Sequence, residues 1–278
     1  MVNLLGAAEI RELATRLDVN PTKKLGQNFV TDPNTIRRIV QAAKLDGSET
    51  VVEIGPGLGS LTLGLLEQAR SVVAVEIDPR LAGELPSTVA RHAPGTEFHL
   101  ILQDALTIER LPAQPDALVA NLPYNISVPV LLHFLETFAS IRSGLVLVQA
   151  EVAHRLVATP GGKEYGVPSA KLAWYADSHL AGNIGRNIFW PVPNVDSALV
   201  YFARRQDSLG NEQLRKATFA AIDAGFSQRR KTLRQALATW AGSPAEAELK
   251  ILAAGLNPQA RAEELSIHDF VSLAKVIQ

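Results

Sequence analysis

Short apolar runs alternating with helical patterns constrain this chain more than any other feature. The runs are TVVEI (50–54), VVAVEI (72–77), FHLIL (98–102), ALVAN (117–121) and GLVLVQ (144–149), with helical periodicity between them at 60–69, 79–91, 128–139 and 151–158. β-Branched residues suit a pleated surface, and a strand that is apolar throughout needs cover on both faces. A helix after each strand supplies that cover and carries the chain back for the next parallel strand. The expectation is a Rossmann-like α/β domain with a mainly parallel sheet.

Outside this alternation the chain reads differently. Residues 8–18 form a short helix, and a second starts where Asp32 can cap and Pro33 can take the first helical position, running to about 44. TPGGKEYG (159–166) is a glycine-rich loop that could close over a site, followed by a helix near 167–176 and two late strands near 179–186 and 197–203, one of them antiparallel. Beyond Asp207 the pattern is purely helical, at 211–224, 228–241, 244–254 and 266–277. Two domains are expected, 1–207 and 208–278. Trp174, Trp190 and Trp240 read as core or domain-interface residues.

Composition narrows the chemistry. Without cysteine there are no disulfides, thiolate metal sites or cysteine nucleophiles, and the six histidines have no ligand spacing, so no metal is expected. No run approaches the roughly 18 apolar residues of a membrane span, and the first thirty residues carry charges among their apolar positions, so a cytoplasmic protein is expected. The net charge of −1 hides a local excess: eight basic residues against three acidic ones between 204 and 234. Such a stretch can face a phosphate backbone.

VVEIGPGLGSLT (51–62) has the order strand, glycine turn, helix start. The spacing of Gly55, Gly57 and Gly59 departs from the G-x-G-x-x-G of dinucleotide sites and suits close approach to a small sulfonium nucleoside. Glu76 ends the next strand, where it can accept from both ribose hydroxyls, and Asp104 follows the third, placed to accept from an adenine amine. Three successive strand ends therefore converge on one crevice.

The fourth strand ends in NLPYNIS (121–127). An adenine amine is a poor nucleophile because its lone pair is delocalised into the ring. Two acceptors aimed at its protons, the Asn121 side-chain oxygen and the Pro123 carbonyl, would favour a pyramidal nitrogen with its lone pair toward a methyl donor. Tyr124 offers a ring face to a base splayed from its helix. No dedicated general base is needed, since the methylated amine is strongly acidic.

With LGQNFVTDP (25–33), VEIGPGLGSLT (52–62), VEID (75–78), QDAL (103–106), NLPYNIS (121–127), EYGVPSAK (164–171), FWPVPNVDSALV (189–200) and FSQRRKTLRQAL (226–237), the chain resembles the KsgA/RsmA family of dimethyladenosine transferases nearly end to end. The resemblance implies a class I methyltransferase fold with a smaller all-helical RNA-binding domain, and S-adenosyl-L-methionine as cofactor. It implies methylation of two adjacent adenosines near the 3′ end of 16S rRNA in the 30S particle to N6,N6-dimethyladenosine, by a monomer that can also act in late ribosome assembly. It further implies that Asn28 and Val30 contact the cofactor beside Gly55, Gly57, Glu76, Asp104 and Asn121, and that Phe189 packs on the flipped base opposite Tyr124. Val30 stands where the family often has Leu, and Trp190-Pro191-Val192-Pro193 where it often has three prolines; His154 reads as a surface helix residue.

Arg229, Arg230, Lys231 and Arg234 are expected to begin a helix that contacts RNA phosphates, with Lys23 and Lys24 adding to the same track. Three alternatives stand beside this reading: a 23S rRNA adenine methylase of the macrolide-resistance type, an assembly factor acting mainly by binding, and a DNA adenine methylase. FSQRRKTLRQAL and the VDS segment favour the small-subunit enzyme over the first, and Leu122 and the helical tail weigh against the last.

Overall fold

The computed structural model describes residues 2–19 and 28–276; Lys23, Lys24 and the start of LGQNFVTDP lie outside the described residues. Helix α1 (Ala7–Arg16) precedes a two-residue strand, β1 (Phe29–Val30), and helix α2 (Pro33–Ala42). The Asp32 carboxylate caps α2 by accepting the Thr35 N–H at 2.9 Å, with Pro33 in the first helical turn. The expected alternation follows as β2 (Thr50–Ile54), α3 (Ser60–Gln68), β3 (Ser71–Glu76), α4 (Pro79–His92), β4 (Glu97–Leu102), β5 (Ala117–Asn121), α5 (Ser127–Thr137) and β6 (Ser143–Gln149). Only a 3₁₀ turn, Ala105–Thr107, stands between β4 and β5. Then come α6 (Ala150–Leu156), α7 (Val167–Tyr175), β7 (Ala176–Ile184), β8 (Phe189–Trp190) and β9 (Ser197–Arg204).

Seven strands form one sheet in the order β4-β3-β2-β5-β6-β9-β7. β2, β3 and β5 pair in parallel with their neighbours, and β9 lies antiparallel to β6 with Ser197 opposite Gln149. Strands β2 and β3 are buried along their whole length, whereas the edge strand β4 alternates toward solvent. That difference explains why the middle strands carry no polar face. Leu61, Leu63, Leu65 and Leu66 of α3 are all buried, each contributing roughly 1.5–3 kcal/mol. The strand order reverses between β2 and β5, and in open α/β sheets that reversal opens a ligand crevice beyond the carboxyl ends of the strands.

The chain divides into two compact units: one holds the described residues up to Ala153 with 179–203, the other holds 154–178 with the residues from Arg204 on. The expected single cut after 207 differs in that the 159–166 loop and α7 go with the C-terminal helices. Those are α8 (Glu212–Ser227), α9 (Leu233–Ala236), α10 (Ala238–Ala241), α11 (Pro244–Ala253) and α12 (Ile267–Lys275). In this unit the half-buried Phe226 lies 5.9 Å from the buried Tyr165 ring and 6.1 Å from Phe270, while Trp174 is buried against Phe219 at 6.2 Å. The 159–166 loop is tied to the same unit: Gly161 N–H donates to the Glu263 carbonyl at 2.7 Å and the Tyr165 hydroxyl to the Leu265 carbonyl at 2.8 Å.

One helix is not continuous. Where 228–241 was expected to be helical, α8 ends at Ser227 and residues 228–232 form a turn. The Leu233 and Arg234 N–H groups donate to the Ala260 and Pro258 carbonyls, at 2.8 and 3.2 Å, in place of helical partners. Among the described residues no helix is long and apolar enough to cross a membrane.

Candidate active site

One cavity opens at the strand-order reversal, and its wall holds Asn28, Val30, Gly55, Gly57, Glu76, Asp104, Asn121, Pro123 and Tyr124. The turn after β2 gives it a bare backbone floor. Gly57 and Gly59 adopt φ of +61° and +96°, which L side chains avoid. A Cβ on Gly57 would also stand 2.9 Å from Phe29 Cε1, and one on Gly59 2.7 Å from Leu85 Cδ1. Both positions therefore exclude a side chain by conformation and by space.

Glu76 ends β3 only 4% exposed. Its Oε2 accepts the Gly57 N–H at 3.1 Å, and Oε1 accepts the Ile77 and Asp78 N–H groups at 2.9 Å each. Burial pushes this carboxyl above its ordinary range, while the three backbone donors pull the other way and favour the ionised form. The carboxylate thus locks the glycine turn to β3 and keeps lone pairs for hydroxyl donors. Asp104 caps the 3₁₀ turn with Oδ1, accepting the Leu106 N–H at 2.9 Å, which fixes its position beside the cavity.

Asn121 ends β5, and its Nδ2 donates to the Asn28 carbonyl at 3.0 Å. That bond spends the amide's donor end on the protein and assigns Oδ1 as the end that can accept from a ligand. The Pro123 carbonyl, expected as the second acceptor, accepts the Ile126 N–H at 3.2 Å and so closes a turn. The Leu122 N–H is tied to the Leu147 carbonyl at 3.1 Å, while no hydrogen bond to the Leu122 carbonyl is found among the described residues. The Tyr124 hydroxyl meets Ser197 Oγ at 2.7 Å, and burial pushes its pKa up, the Ser197 bond offsetting part of that.

Phe189 does not line this cavity. It is 2% exposed in the hydrophobic core, opposite Val30 in the β1–β8 ladder. Its neighbour Trp190 pairs with Phe29, ring on ring at 6.3 Å and 21°, and Phe29 contributes an aromatic ring to the cavity wall beside Tyr124.

Sequence reasoning passed over two groups at the site. Glu53 lies 1% exposed in β2, lines the cavity, and has no hydrogen-bond partner for Oε2 among the described residues. Complete burial pushes its carboxyl up to about 8; the Thr62 hydroxyl acts in the opposite sense and the Glu76 carboxylate adds to the rise. Ser60, buried at the start of α3, also faces the cavity with an unpartnered hydroxyl. A carboxylate inside an otherwise apolar strand, directly before a glycine turn, was the available signal for Glu53.

The four basic residues expected to contact RNA phosphates split into two pairs. Arg229 to Lys231 sit in the turn after α8 and not on a helix. Arg229 Nε meets Glu263 at 2.7 Å and donates through Nη2 to the Lys163 carbonyl; Arg234 lies 2.9 Å from Glu248. Arg230 and Lys231 are exposed and have no ion pair among the described residues.

A model of the family described as ribosomal RNA adenine dimethylase matches residues 19–278. The ribosomal RNA small subunit methyltransferase A of Arthrobacter sp. (strain FB24) is 58% identical over 277 residues, covering 99% of this chain and 94% of its own. The protein of the same name from Streptomyces coelicolor is 57% identical over 275 residues, covering 98% and 96%. Among solved structures, a dimethyladenosine transferase from Plasmodium falciparum shares the fold at TM-score 0.75 and 23% identity, over 88% of this chain and 95% of that one. The 23S rRNA methyltransferase ErmE superposes at TM-score 0.65 and 27% identity, over 90% and 99%. A family match over nearly the whole chain and a cavity built from the same strand-end motifs lead to one conclusion: the chain belongs to the ribosomal RNA adenine dimethylase family.

Proposed function

We propose that this enzyme transfers methyl groups from S-adenosyl-L-methionine to N6 of two adjacent adenosines near the 3′ end of 16S rRNA, leaving N6,N6-dimethyladenosines. The observation that carries the reading is the orientation of Asn121, whose Nδ2 bond to the Asn28 carbonyl leaves Oδ1 to accept from an amine in the cavity that Glu76 and Asp104 also line.

The residues present fit the cofactor. The bare backbone at Gly55 and Gly57 admits a ligand at van der Waals distance, the buried Glu76 carboxylate accepts from ribose hydroxyls, and Asp104 accepts from the adenine amine. Asn28 and Val30 close the side facing β1, and Ser60 and Glu53 offer unpartnered polar atoms deeper in. When bound, S-adenosylmethionine supplies an electrophilic methyl on its sulfonium.

The protein's part is to bind, orient and exclude. Asn121 Oδ1 accepts one N6 proton of the target, and a carbonyl of the Leu122-Pro123 segment accepts the other. The two bonds draw the nitrogen toward a pyramidal shape with its lone pair off the ring. Of the two carbonyls, that of Leu122 is uncommitted, whereas that of Pro123 already serves the turn to Ile126. The Tyr124 ring stacks on the base once it has left its helix, a contact worth about 1–3 kcal/mol per base. After transfer the excess proton leaves the acidic product amine for water. Proximity and orientation therefore carry most of the rate enhancement.

RNA is held by its phosphates, first by Arg230 and Lys231, which need not give up an existing ion pair, with Arg229 and Arg234 exchanging Glu263 and Glu248 for RNA. The substrate is the RNA of the 30S particle, and the enzyme acts as a monomer. The likeness to ErmE keeps large-subunit RNA as the alternative substrate, but 27% identity there stands against 58% to a small-subunit enzyme. Asn121→Ala should abolish methyl incorporation from labelled cofactor while leaving RNA affinity within a few-fold; unchanged turnover would overturn the mechanism.

A further inference from the structure

We infer that Ser197 is a positioning residue for the target base, acting as a fixed post that holds the far end of the Tyr124 ring and so sets where the ring stands in the cavity. This rests on reading residues 121–124 as the end of the cavity that receives the adenine.

The geometry is asymmetric. Tyr124 is half-buried and lines the cavity, yet its one polar atom is engaged outside the cavity wall, 2.7 Å from the hydroxyl of Ser197, a residue with no solvent exposure that is not part of that wall. A phenol tied down at this end serves neither as acid nor as base. Burial, the larger influence, and the nearby Asp196 carboxylate raise its pKa further out of reach of proton transfer at neutral pH.

The post itself is anchored in the sheet. Ser197 opens β9 opposite Gln149 of β6. Next to it, the Asp196 carbonyl accepts the Ala150 N–H at 3.0 Å, and Asp196 Oδ1 accepts the Arg186 N–H at 3.1 Å. Tyr124, by contrast, stands in a loop. The bonds that hold this loop are those of Leu122 N–H to Leu147 and of Ile126 N–H to Pro123, one on each side of the tyrosine. The Cα–Cβ and Cβ–ring torsions of Tyr124 are set by neither bond. The para oxygen lies on the axis of the Cβ–ring bond, so a bond there fixes the Cα–Cβ torsion and with it the direction along which the ring projects, and it couples to the ring's tilt through the in-plane preference of a phenolic O–H when Tyr124 donates. Stacking orients the base, and the base plane decides whether N6 meets Asn121 Oδ1 and the methyl together.

Tyr124→Phe and Ser197→Ala should each lower kcat for methylation about two- to tenfold, the range of one neutral hydrogen bond worth roughly 0.5–1.5 kcal/mol. KM for the RNA particle and the cofactor dissociation constant by calorimetry should stay unchanged. The double variant should be no slower than the slower single one, because both remove the same bond. Multiplying effects, a KM change in place of a kcat change, or full kcat in Tyr124→Phe would overturn the inference. If Ser197→Ala does not fold, Tyr124→Phe alone decides. Asn121→Ala runs alongside: if it keeps full activity, the reading of the site fails. If it is inactive while Tyr124→Phe and Ser197→Ala are fully active, only the role of Ser197 fails.

Discussion

Replacing Glu53 by Gln removes the only titratable group of β2 without changing its shape. In the folded protein Glu53 is 1% exposed with an unpartnered Oε2, and it keeps its proton up to about pH 8, whereas in the unfolded chain it loses it near 4.5. Between these values the native state binds one proton more than the unfolded state. The stability owed to this group is therefore complete below about pH 4.5 and declines as pH rises toward 8. The slope is about 1.4 kcal/mol per pH unit, so the wild type should lose about 3 kcal/mol relative to Glu53→Gln on going from roughly pH 5 to roughly pH 7.5. Both proteins share every other titrating group, so the difference between their stabilities reports Glu53 together with its coupling to Glu76. Urea unfolding followed by circular dichroism at four or five pH values measures it. Parallel stability curves for the two proteins would refute the reasoning, because they would mean that Glu53 titrates alike in both states.

Three further outcomes follow from the geometry. Glu76→Ala should weaken S-adenosylmethionine binding about ten- to hundredfold, the worth of losing charge-assisted bonds of roughly 1.5–3 kcal/mol, as isothermal calorimetry would read directly. Arg230→Ala with Lys231→Ala should weaken RNA binding and reduce the slope of log affinity against log salt by up to about 2, whereas Arg229→Ala should chiefly lower the melting temperature, since its guanidinium ties the 228–232 turn to Glu263 and Lys163.

Much of this molecule was legible in its residues because burial writes itself into sequence. The central strands are covered on both faces and so carry almost nothing but β-branched and aliphatic side chains, and Gly55, Glu76 and Asn121 break the run at strand ends that line the cavity. What stayed hidden is non-local or too short to have a period. The β1–β8 ladder has two residues per strand, and nothing in FV or FW announces that Phe29 lines the cavity while Phe189, buried in the same core, does not. The late start of the helix expected from 228 is imposed by carbonyls some twenty-five residues downstream, at Pro258 and Ala260, which take the Arg234 and Leu233 N–H groups. The membership of 154–178 in the C-terminal unit likewise depends on partners such as Glu263 and Leu265. Glu53 was obscured by its neighbours, since a single carboxylate in VVEI reads as a strand end until its burial is seen.

The central claim is that the cavity's Asn121 end methylates adenine N6 in small-subunit RNA. It is tested most directly by incubating the protein and S-adenosylmethionine with immature 30S particles and, separately, with 50S particles, then analysing nuclease fragments by mass spectrometry. The account predicts N6,N6-dimethyladenosine at two adjacent positions near the 3′ end of 16S rRNA and none in 23S rRNA. Methylation confined to the large-subunit RNA, or at an atom other than N6, would contradict it.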